Sequence, residues 1–264
     1  MKVFVIDLDG TLLSAEGTIE KEDVNKLISI QKAGNRIVLA TGRNIWEAKQ
    51  FVEALKISTF KGAVVLADGQ YIEDYNSGEC LERPFIKGAD ALKLCANVSS
   101  DNQVSLTTPS ANYYVVDGLL SLRYLKLKLA SLRNKHNKII NTKEIEDVDS
   151  IEKIVIDTSE KSDFLENYRD KFEIVYIHDK NRYEIKHKDV NKGESLKILL
   201  DRWNIPEDEV YVFGNDDNDI SMMRVTRNSY SMDSGTESLK QQAANILRDS
   251  PSIIVNTIEN ILLK

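Results

Sequence analysis

The chain has 264 residues, of which 42% are hydrophobic and 29% are charged, with 35 Lys and Arg against 42 Asp and Glu. This length allows a sizeable core in one or two domains, and the mixture of charge signs excludes a disordered chain. The formal net charge of -7 argues against a general nucleic-acid-binding protein, because such proteins need a positive field. It leaves open one small anionic ligand bound in a local site.

The composition also predicts a cytoplasmic protein with no membrane span. The first apolar run, VFVI, is broken at Asp7, and no later stretch approaches the roughly 20 apolar residues that a spanning helix needs. Two cysteines, Cys80 and Cys95, are too few to staple a fold of this size, so we expect reduced thiols. Nothing in the sequence indicates an obligate protein partner.

The first third of the chain predicts buried strands that alternate with helices. The strands are 3–6, 36–40 and 63–66, and the helices are 21–33 and 45–55. Because parallel neighbours need a crossover helix, this alternation predicts βαβ units and a parallel sheet.

The middle of the chain, from about residue 81 to residue 186, predicts an α+β layer. We expect helices at 87–98, 119–133 and 161–170, and strands at 103–108, 112–116, 153–157, 172–178 and 182–185. A tight polar turn at 179–181 makes the last two strands a hairpin.

The final third returns to the first pattern, with a helix at 194–203, a buried strand at 210–213 and a further helix from Asp219. A pattern that is interrupted and then resumed indicates an inserted domain. We therefore predict an α/β fold with a doubly wound, Rossmann-like parallel-sheet core, residues 1–81 plus 187–264. An inserted α+β domain forms residues 82–186.

Two carboxylates, Asp7 and Asp9, follow the first strand directly in the run DLDGT. Ligands bind at the carboxyl ends of strands in such sheets, so a carboxylate here can attack phosphorus and a second can move a proton. Two carboxylates facing a phosphate require a cation, and hard oxygen ligands select Mg2+. The alternative interpretation is a surface turn, since Asp and Gly form turns.

Thr41, Gly42 and Arg43 follow the second strand and lead into a helix. A hydroxyl and free backbone N–H groups at this position form a phosphate cradle, and glycine allows a close approach. The alternative is a simple strand-to-helix turn in which Thr41 caps the helix.

Lys192 lies at the start of a predicted helix, where a cation is electrostatically unfavourable. A bound phosphate or the Asp7 carboxylate would offset that cost. The alternative is a solvated surface lysine, as most lysines are.

Five polar, oxygen-bearing side chains, residues 215–219, follow the strand VYVF. Their position at a strand end suggests a hard cation. The alternative is an Asx-rich loop in which Asp219 caps the next helix.

Together these four motifs resemble the haloacid dehalogenase-like (HAD) superfamily, whose phosphohydrolases carry DxDGT, Thr-Gly-Arg, Lys and an acidic loop in this order. The insertion between Thr41 and Lys192 resembles that of the Cof-type phosphatases, subclass IIB, with the large C2 cap. The resemblance covers essentially the whole chain and implies Mg2+ as cofactor.

The resemblance also implies roles for individual residues. Asp7 would be the nucleophile, and Asp9 the general acid and base, with Thr41 and Lys192 completing the catalytic set. The phosphoryl group would be bound by Leu8, Asp9, Thr41, Gly42, Arg43, Lys192 and Asn218. Mg2+ would be held by Asp7, the backbone carbonyl of Asp9 and Asn215, with Asp216 and Asp219 supporting these ligands.

Two positions depart from the family pattern. Asn215 stands where Asp is usual, so the metal site loses one negative charge and should bind the ion less tightly unless Asp216 or Asp219 compensates. Asp68, in Ala67-Asp68-Gly69, stands where Asn is common, and the sequence offers no account of it.

Three functions remain open from the sequence. The first is a phosphatase acting on a small phosphorylated metabolite, of which sugar phosphates fit best. The second is a phosphotransferase or phosphosugar mutase of the same fold, and the third is a phosphate-binding regulatory protein that has lost activity. The resemblance assigns substrate specificity to the inserted domain, with its hairpins 104–116 and 172–185 as candidates.

The tryptophans and histidines are interpreted structurally. Trp46 and Trp203 lie on apolar helical positions, so we expect both to pack in the core. The three histidines have no ligand spacing and predict no zinc site.

Overall fold

The computed structural model describes residues 1–116, 136–158, 163–177 and 181–263. The predicted helix 119–133 lies outside these ranges. So do the first two residues of the predicted helix 161–170, the last residue of the predicted strand 172–178 and most of the turn at 179–181.

The chain divides into two compact units, residues 1–83 with 190–264, and residues 84–189. We call these the core unit and the inserted unit. The described residues of the core unit form one eight-stranded sheet, and those of the inserted unit form a six-stranded sheet.

The core sheet is parallel in its centre. Its strands are β1 (Val3–Ile6), β2 (Arg36–Ala40), β3 (Ala63–Leu66), β4 (Tyr71–Asp74), β5 (Glu79–Glu82), β12 (Val210–Gly214), β13 (Ser229–Met232) and β14 (Asn245–Leu247). They lie in the order β14-β13-β12-β1-β2-β3-β4-β5, and only β4 and β5 run antiparallel to their neighbours. The strand β1, which leads into Asp7, therefore lies between β12 and β2.

Helices cover both faces of this sheet. They are α1 (Lys21–Lys32), α2 (Ile45–Ala54), α4 (Lys192–Trp203), α5 (Ile220–Met223), α6 (Glu237–Gln242) and α7 (Ile253–Leu262), with α3 (Gly88–Cys95) in the inserted unit. Side chains of β1 alternate between the faces: Phe4 packs in one cluster with residues of α1, α2 and α7, and Val5 packs in another with residues of α4, α5 and α6. This arrangement confirms the predicted doubly wound core.

The inserted unit is an α+β layer. Its strands are β6 (Gln103–Thr107), β7 (Asn112–Val115), β8 (Asn137–Ile140), β9 (Lys153–Asp157), β10 (Phe172–Ile177) and β11 (Arg182–His187). They lie in the order β10-β11-β9-β6-β7-β8, and β10 pairs with β11 as the predicted hairpin. The described part of the predicted helix 161–170 is a short 3-10 helix, Asp163–Tyr168, so that prediction was wrong in type.

The two tryptophans differ in their surroundings. Trp203 is buried, and its Nε1 donates to Asp74 Oδ1 at 3.1 Å. Trp46 is 81% exposed, so its predicted core packing was wrong. The buried positions of α2 begin at Ala48 and continue at Phe51 and Val52, and a residue two positions before Ala48 lies on nearly the opposite side of the helix.

Across the described ranges, no helix has both the length and the apolar character needed to cross a membrane.

Candidate active site

The loop after β1 turns sharply and buries Asp7. The Asp7 N–H donates to Phe213 O of the neighbouring strand at 3.0 Å, and Leu12 N–H closes the loop on Asp7 O at 3.2 Å. Gly10 adopts φ +79°, and a Cβ on it would collide with the side chain of Asn215. Glycine is therefore favoured here by its conformation, and any larger residue would also have to displace the Asn215 side chain.

Lys192 is fully buried and lies between two carboxylates. Its Nζ is 2.7 Å from Asp7 Oδ1 and 2.7 Å from Asp219 Oδ1. The helix α4 begins at Lys192, and Asn191 caps it by accepting from Glu194 N at 2.8 Å. Lys192, a cation at the unfavourable end of a helix, thus contacts Asp7, one of the two groups expected to offset the cost of that position. The alternative of a solvated surface lysine was wrong.

Burial and the charge of the partner shift the pKa in opposite directions, both for Asp7 and for Lys192. Burial raises the pKa of Asp7 to about 7, while the attraction of Lys192 opposes the rise. Burial by itself would lower the pKa of Lys192, but the charges of Asp219, Asp7 and Asp68 outweigh it and hold the pKa above its ordinary value. Lys192 is therefore a permanent cation beside Asp7.

Asp219 organises the acidic loop. Its Oδ1 binds Lys192, and its Oδ2 accepts from Asn215 N at 2.9 Å and Asp216 N at 3.1 Å. Asp219 makes no side-chain cap to α5, whereas Asp216 caps the preceding 3-10 helix, Asp217–Asp219, by accepting from Asp217 N at 2.7 Å. The interpretation of Asp219 as a helix cap was therefore wrong, because its carboxylate is committed to Lys192 and to the loop backbone.

The amide of Asn215 lies among oxygens of the DLDGT loop. One terminal atom of this amide is 2.9 Å from Asp9 O, 3.0 Å from Thr11 Oγ1 and 3.3 Å from Asp7 Oδ2. Octahedral Mg2+ takes oxygen ligands at about 2.0–2.1 Å, which puts adjacent ligands about 3 Å apart. An inward-facing Asn215 oxygen therefore lies from the carbonyl of Asp9 and the carboxylate of Asp7 at about the spacing that adjacent ligands of such an ion have.

The candidate metal site is not built from a cluster of acidic side chains. In the described ranges, no group of three or more His, Cys, Asp and Glu side chains is arranged to hold a metal ion. The candidate ligand oxygens come instead from one carboxylate, Asp7, one backbone carbonyl, Asp9, and one amide, Asn215. Asp219 is turned away to Lys192, and the Asp216 carboxylate caps a helix.

The turn after β2, residues 41–43, forms another wall of the site through Gly42 and Arg43. Thr41 is buried; its N–H donates to Val65 O at 2.9 Å, and its hydroxyl accepts from Arg43 N at 3.1 Å. The cap of α2 is Asn44, which exchanges hydrogen bonds with Glu47. The interpretation of Thr41 as the helix cap was therefore wrong, and its hydroxyl shapes the turn before the helix.

Arg43 binds Asp9 with two parallel hydrogen bonds. Its Nε donates to Asp9 Oδ2 at 2.8 Å and its Nη2 to Asp9 Oδ1 at 2.6 Å. These bonds hold the pKa of Asp9 below its ordinary value and raise that of Arg43. The guanidinium also lies over the ring of Phe51, 5.2 Å from its centroid.

Asp68 is buried beside this wall in a left-handed conformation, with φ +53°. Its Oδ1 accepts from Asn218 Nδ2 at 2.7 Å, and a Cβ on Gly42 would lie 3.0 Å from the same oxygen. Asp68, for which the sequence offered no role, thus links Asn218 to the Gly42 turn, and its negative charge raises the pKa of Lys192.

Seven of the eleven predicted residues line one cavity of about 210 Å3 in the core unit. It is lined by Asp7, Asp9, Gly42, Arg43, Glu47, Asn215, Asp216 and Asn218. The other four predicted residues do not line it: Lys192 contacts Asp7 and Asp219, and Leu8 and Thr41 are fully buried. A cavity of this size is smaller than the roughly 300–1,000 Å3 typical of whole small-molecule ligands, and it suits a phosphoryl group with a cation.

Sequence reasoning missed three contributors to the site. Glu47 lines the cavity, and the capping pattern Asn44-x-x-Glu47 could have placed it near the Gly42 turn. Thr11 contacts Asn215, which its place in DLDGT suggested only through the family resemblance. Ser221 accepts from Gly193 N at 3.0 Å and so fixes the start of α4; no sequence signal points to it.

Comparison with known proteins gives consistent matches along the chain. The sequence model of the haloacid dehalogenase-like hydrolase family matches residues 4–252. Phosphatase YwpJ of Bacillus subtilis is 26% identical over 270 residues, which cover 92% of this chain and 93% of YwpJ.

Solved structures show the same fold. A haloacid dehalogenase-like hydrolase from B. subtilis is 23% identical, with a TM-score of 0.75 over 99% of this chain and 100% of that one. The HAD subclass IIB sugar phosphatase BT4131 is 17% identical, with a TM-score of 0.74 and both chains covered completely.

The family match spans the inserted unit and nearly all of both core segments, and residues from its motifs meet at one edge of the core sheet. The chain therefore belongs to the haloacid dehalogenase-like hydrolases, and to their Cof type.

Proposed function

We propose that this hydrolase is a Mg2+-dependent phosphatase that removes phosphate from small phosphorylated metabolites, with sugar phosphates as the substrate class, through a phospho-aspartyl intermediate on Asp7. The observation that carries the proposal is the Asp7 carboxylate, held by Lys192 at 2.7 Å beside a cavity that suits a phosphoryl group and a cation. The name of the structural relative BT4131 supports the choice of sugar phosphates.

The proposed reaction has two steps. In the first, the Asp7 carboxylate attacks phosphorus and the bond to the leaving oxygen breaks. Asp9, protonated once the phosphate has drawn Arg43 away from it, gives its proton to that oxygen. In the second, water attacks phosphorus, Asp9 takes its proton, and the bond to Asp7 breaks. Atoms and charges balance over the cycle, because the second step returns the proton to Asp9 and releases Asp7 from the phosphoryl group.

The remaining residues bind and position the phosphoryl group. Lys192 offsets charge beside Asp7, while the Gly42 turn and Asn218 line the cavity at the place for phosphate oxygens. Arg43 lines this cavity, and a phosphate would compete for it with Asp9.

Asp7, the Asp9 carbonyl and Asn215 would hold the ion, which supplies positive charge against the carboxylate and phosphate oxygens. This charge also favours the ionised form of Asp7, whose pKa burial raises to about 7. The distances from the Asn215 amide to Asp9 O, 2.9 Å, and to Asp7 Oδ2, 3.3 Å, support this assignment.

The test combines a substrate screen with a variant. The protein is assayed against a panel of phosphorylated metabolites with Mg2+, and we expect release of one phosphate per substrate consumed. Asp7→Asn should lower kcat by about 10³-fold or more, with an unchanged far-UV spectrum. Asp201→Asn, an exposed aspartate on α4, is the matched control. Unchanged turnover in Asp7→Asn would refute the proposal, and substrate loss without phosphate release would indicate transfer to another acceptor.

A further inference from the structure

The amide of Asn215 meets the same neighbours in either of two orientations. The terminal atom that faces the DLDGT loop is 2.9 Å from Asp9 O and 3.3 Å from Asp7 Oδ2. A half-turn of the amide exchanges its oxygen and nitrogen at this position and leaves the backbone in place. The two orientations therefore present opposite chemistry to the same oxygens.

With the oxygen facing inward, Thr11 Oγ1 donates to it at 3.0 Å. The other two neighbours, Asp9 O and Asp7 Oδ2, then face it without a hydrogen between them. Oxygens at this spacing repel one another unless a positive charge lies among them. This orientation is therefore suited to a bound cation.

With the nitrogen facing inward, the amide donates to its neighbours instead. An amide nitrogen carries two N–H groups, and acceptors are available at Asp9 O, Thr11 Oγ1 and Asp7 Oδ2. The oxygens that would repel one another now accept hydrogen bonds. This orientation is therefore suited to the protein without a metal.

We propose that the Asn215 amide is a metal-responsive element with two positions, presenting its oxygen when Mg2+ is bound and its nitrogen when Mg2+ is removed. The inference rests on the proposed function in taking Mg2+ as the ion. A carboxylate at this position has no N–H to donate and could not fill the second role. Asn215 thus trades affinity for the ion against stability of the metal-free site.

The first experiment observes the amide directly. Uniformly 15N-labelled protein of this sequence is stripped with EDTA and titrated with Mg2+ alone, and the Asn215 side-chain NH2 signal is assigned by its absence from Mg2+-loaded Asn215→Asp. We expect the signal of the stripped protein to be protected from exchange with water. Saturating Mg2+ should shift it and speed its exchange, because its hydrogens then leave their acceptors.

The second experiment compares Asn215→Asp with the wild type. Mg2+ binding is measured by calorimetry, and Tm is measured with EDTA and with Mg2+. We expect the variant to bind Mg2+ roughly tenfold more tightly or better, since one neutral ligand becomes charged. Its EDTA-stripped form should melt at a lower temperature than the stripped wild type. Asn25→Asp, which adds the same charge on an exposed face of α1, should change neither quantity.

The outcomes separate this inference from the proposed function. Mg2+ binding with no change in the Asn215 signal, or equal stability of the two stripped proteins, would overturn the inference and leave the phosphatase proposal intact. If Mg2+ bound neither the wild type nor Asn215→Asp, the inference and the Mg2+ part of the proposed function would both fall. The signal experiment follows the wild type and needs Asn215→Asp only in its Mg2+-loaded form, so it decides the matter even if Asn215→Asp does not fold without metal.

Discussion

Lys192 Nζ lies 2.7 Å from Asp7 Oδ1, although 185 positions separate the two residues in the chain. The ammonium group is fully buried, and its other carboxylate partner, Asp219, is fully buried too. A buried cation shared by two carboxylates ties the loop after β1 to the start of α4 and to the loop after β12. The nucleophile proposed for the reaction is therefore positioned by two distant parts of the sequence.

Replacing Lys192 should destabilise the protein as well as inactivate it. Lys192→Met leaves Asp7 and Asp219 buried without a counter-charge, and breaking such a cluster costs about 3–5 kcal/mol of unfolding free energy. Urea denaturation measures this loss. Lys197→Met, which removes a half-exposed partner of Glu194 on the same helix, is the control and should change stability by less than about 0.5 kcal/mol. Equal effects of the two variants would contradict the structural role of Lys192.

Gly10→Ala should impair the response to Mg2+. Both Gly10 and Gly17 adopt positive φ, +79° and +75°, but a Cβ on Gly17 meets nothing within 4 Å, whereas one on Gly10 collides with Asn215. Gly17→Ala therefore reports the conformational cost alone, about 1–2 kcal/mol. We expect Gly17→Ala to keep the full Mg2+-induced rise in Tm and Gly10→Ala to lose most of it. A full rise in Gly10→Ala would show that Asn215 adjusts freely.

Asp68 should tolerate Asn much better than Ala. Asn adopts the left-handed conformation with little strain, and its oxygen can still accept from Asn218. Ala loses this acceptor and pays for the positive φ, so Asp68→Ala should lower the unfolding free energy by about 1–3 kcal/mol, against less than about 1 kcal/mol for Asp68→Asn. Thermal and urea unfolding measure both values. Similar losses in the two variants would mean that the charge, and not the hydrogen bond, is what matters.

The two cysteines should react slowly with alkylating agents. Partial desolvation and the charge of Glu73 raise the pKa of Cys80, an exposed residue, to about 11, and burial raises that of Cys95 to about 12. At pH 8 about 10⁻³ of Cys80 is then thiolate, roughly 200-fold less than for a free thiol, so its labelling rate should rise about tenfold per pH unit up to pH 11.

Mass spectrometry after iodoacetamide treatment follows the two sites separately. Glu73→Gln removes a negative charge near Cys80 and should speed its labelling. Cys95 is buried and should label only when the inserted unit opens. Rapid labelling of Cys80 at pH 7 would refute the raised pKa.

Much of the fold and site could be predicted because the signals are local. The short apolar runs of β1, β2 and β3 have the composition of buried strands, and a lysine at a helix start needs a partner. Strands β13 and β14 were not predicted: they are short, and β14 is mostly exposed at the sheet edge, so their hydrophobic pattern is weak.

Other features depend on contacts between distant residues. Asp68 acquires its role only when Asn218, 150 positions away, reaches it. Trp46 was wrongly placed in the core because its composition suggested burial, while the buried face of α2 starts two residues later. Glu47 enters the cavity through the geometry of a helix cap, which sequence spacing only hints at.

The place of β1 in the sheet has a consequence for synthesis in the cell. One edge of β1 pairs with β2, which follows it closely, but the other pairs with β12, which begins only at Val210. At about 5–20 residues per second, a ribosome needs roughly 10–35 s to pass from β2 to β12, and β1 has no permanent partner on that edge meanwhile. An unpaired apolar strand edge is a template for aggregation, so chains that stop within the inserted unit should be insoluble or need a chaperone.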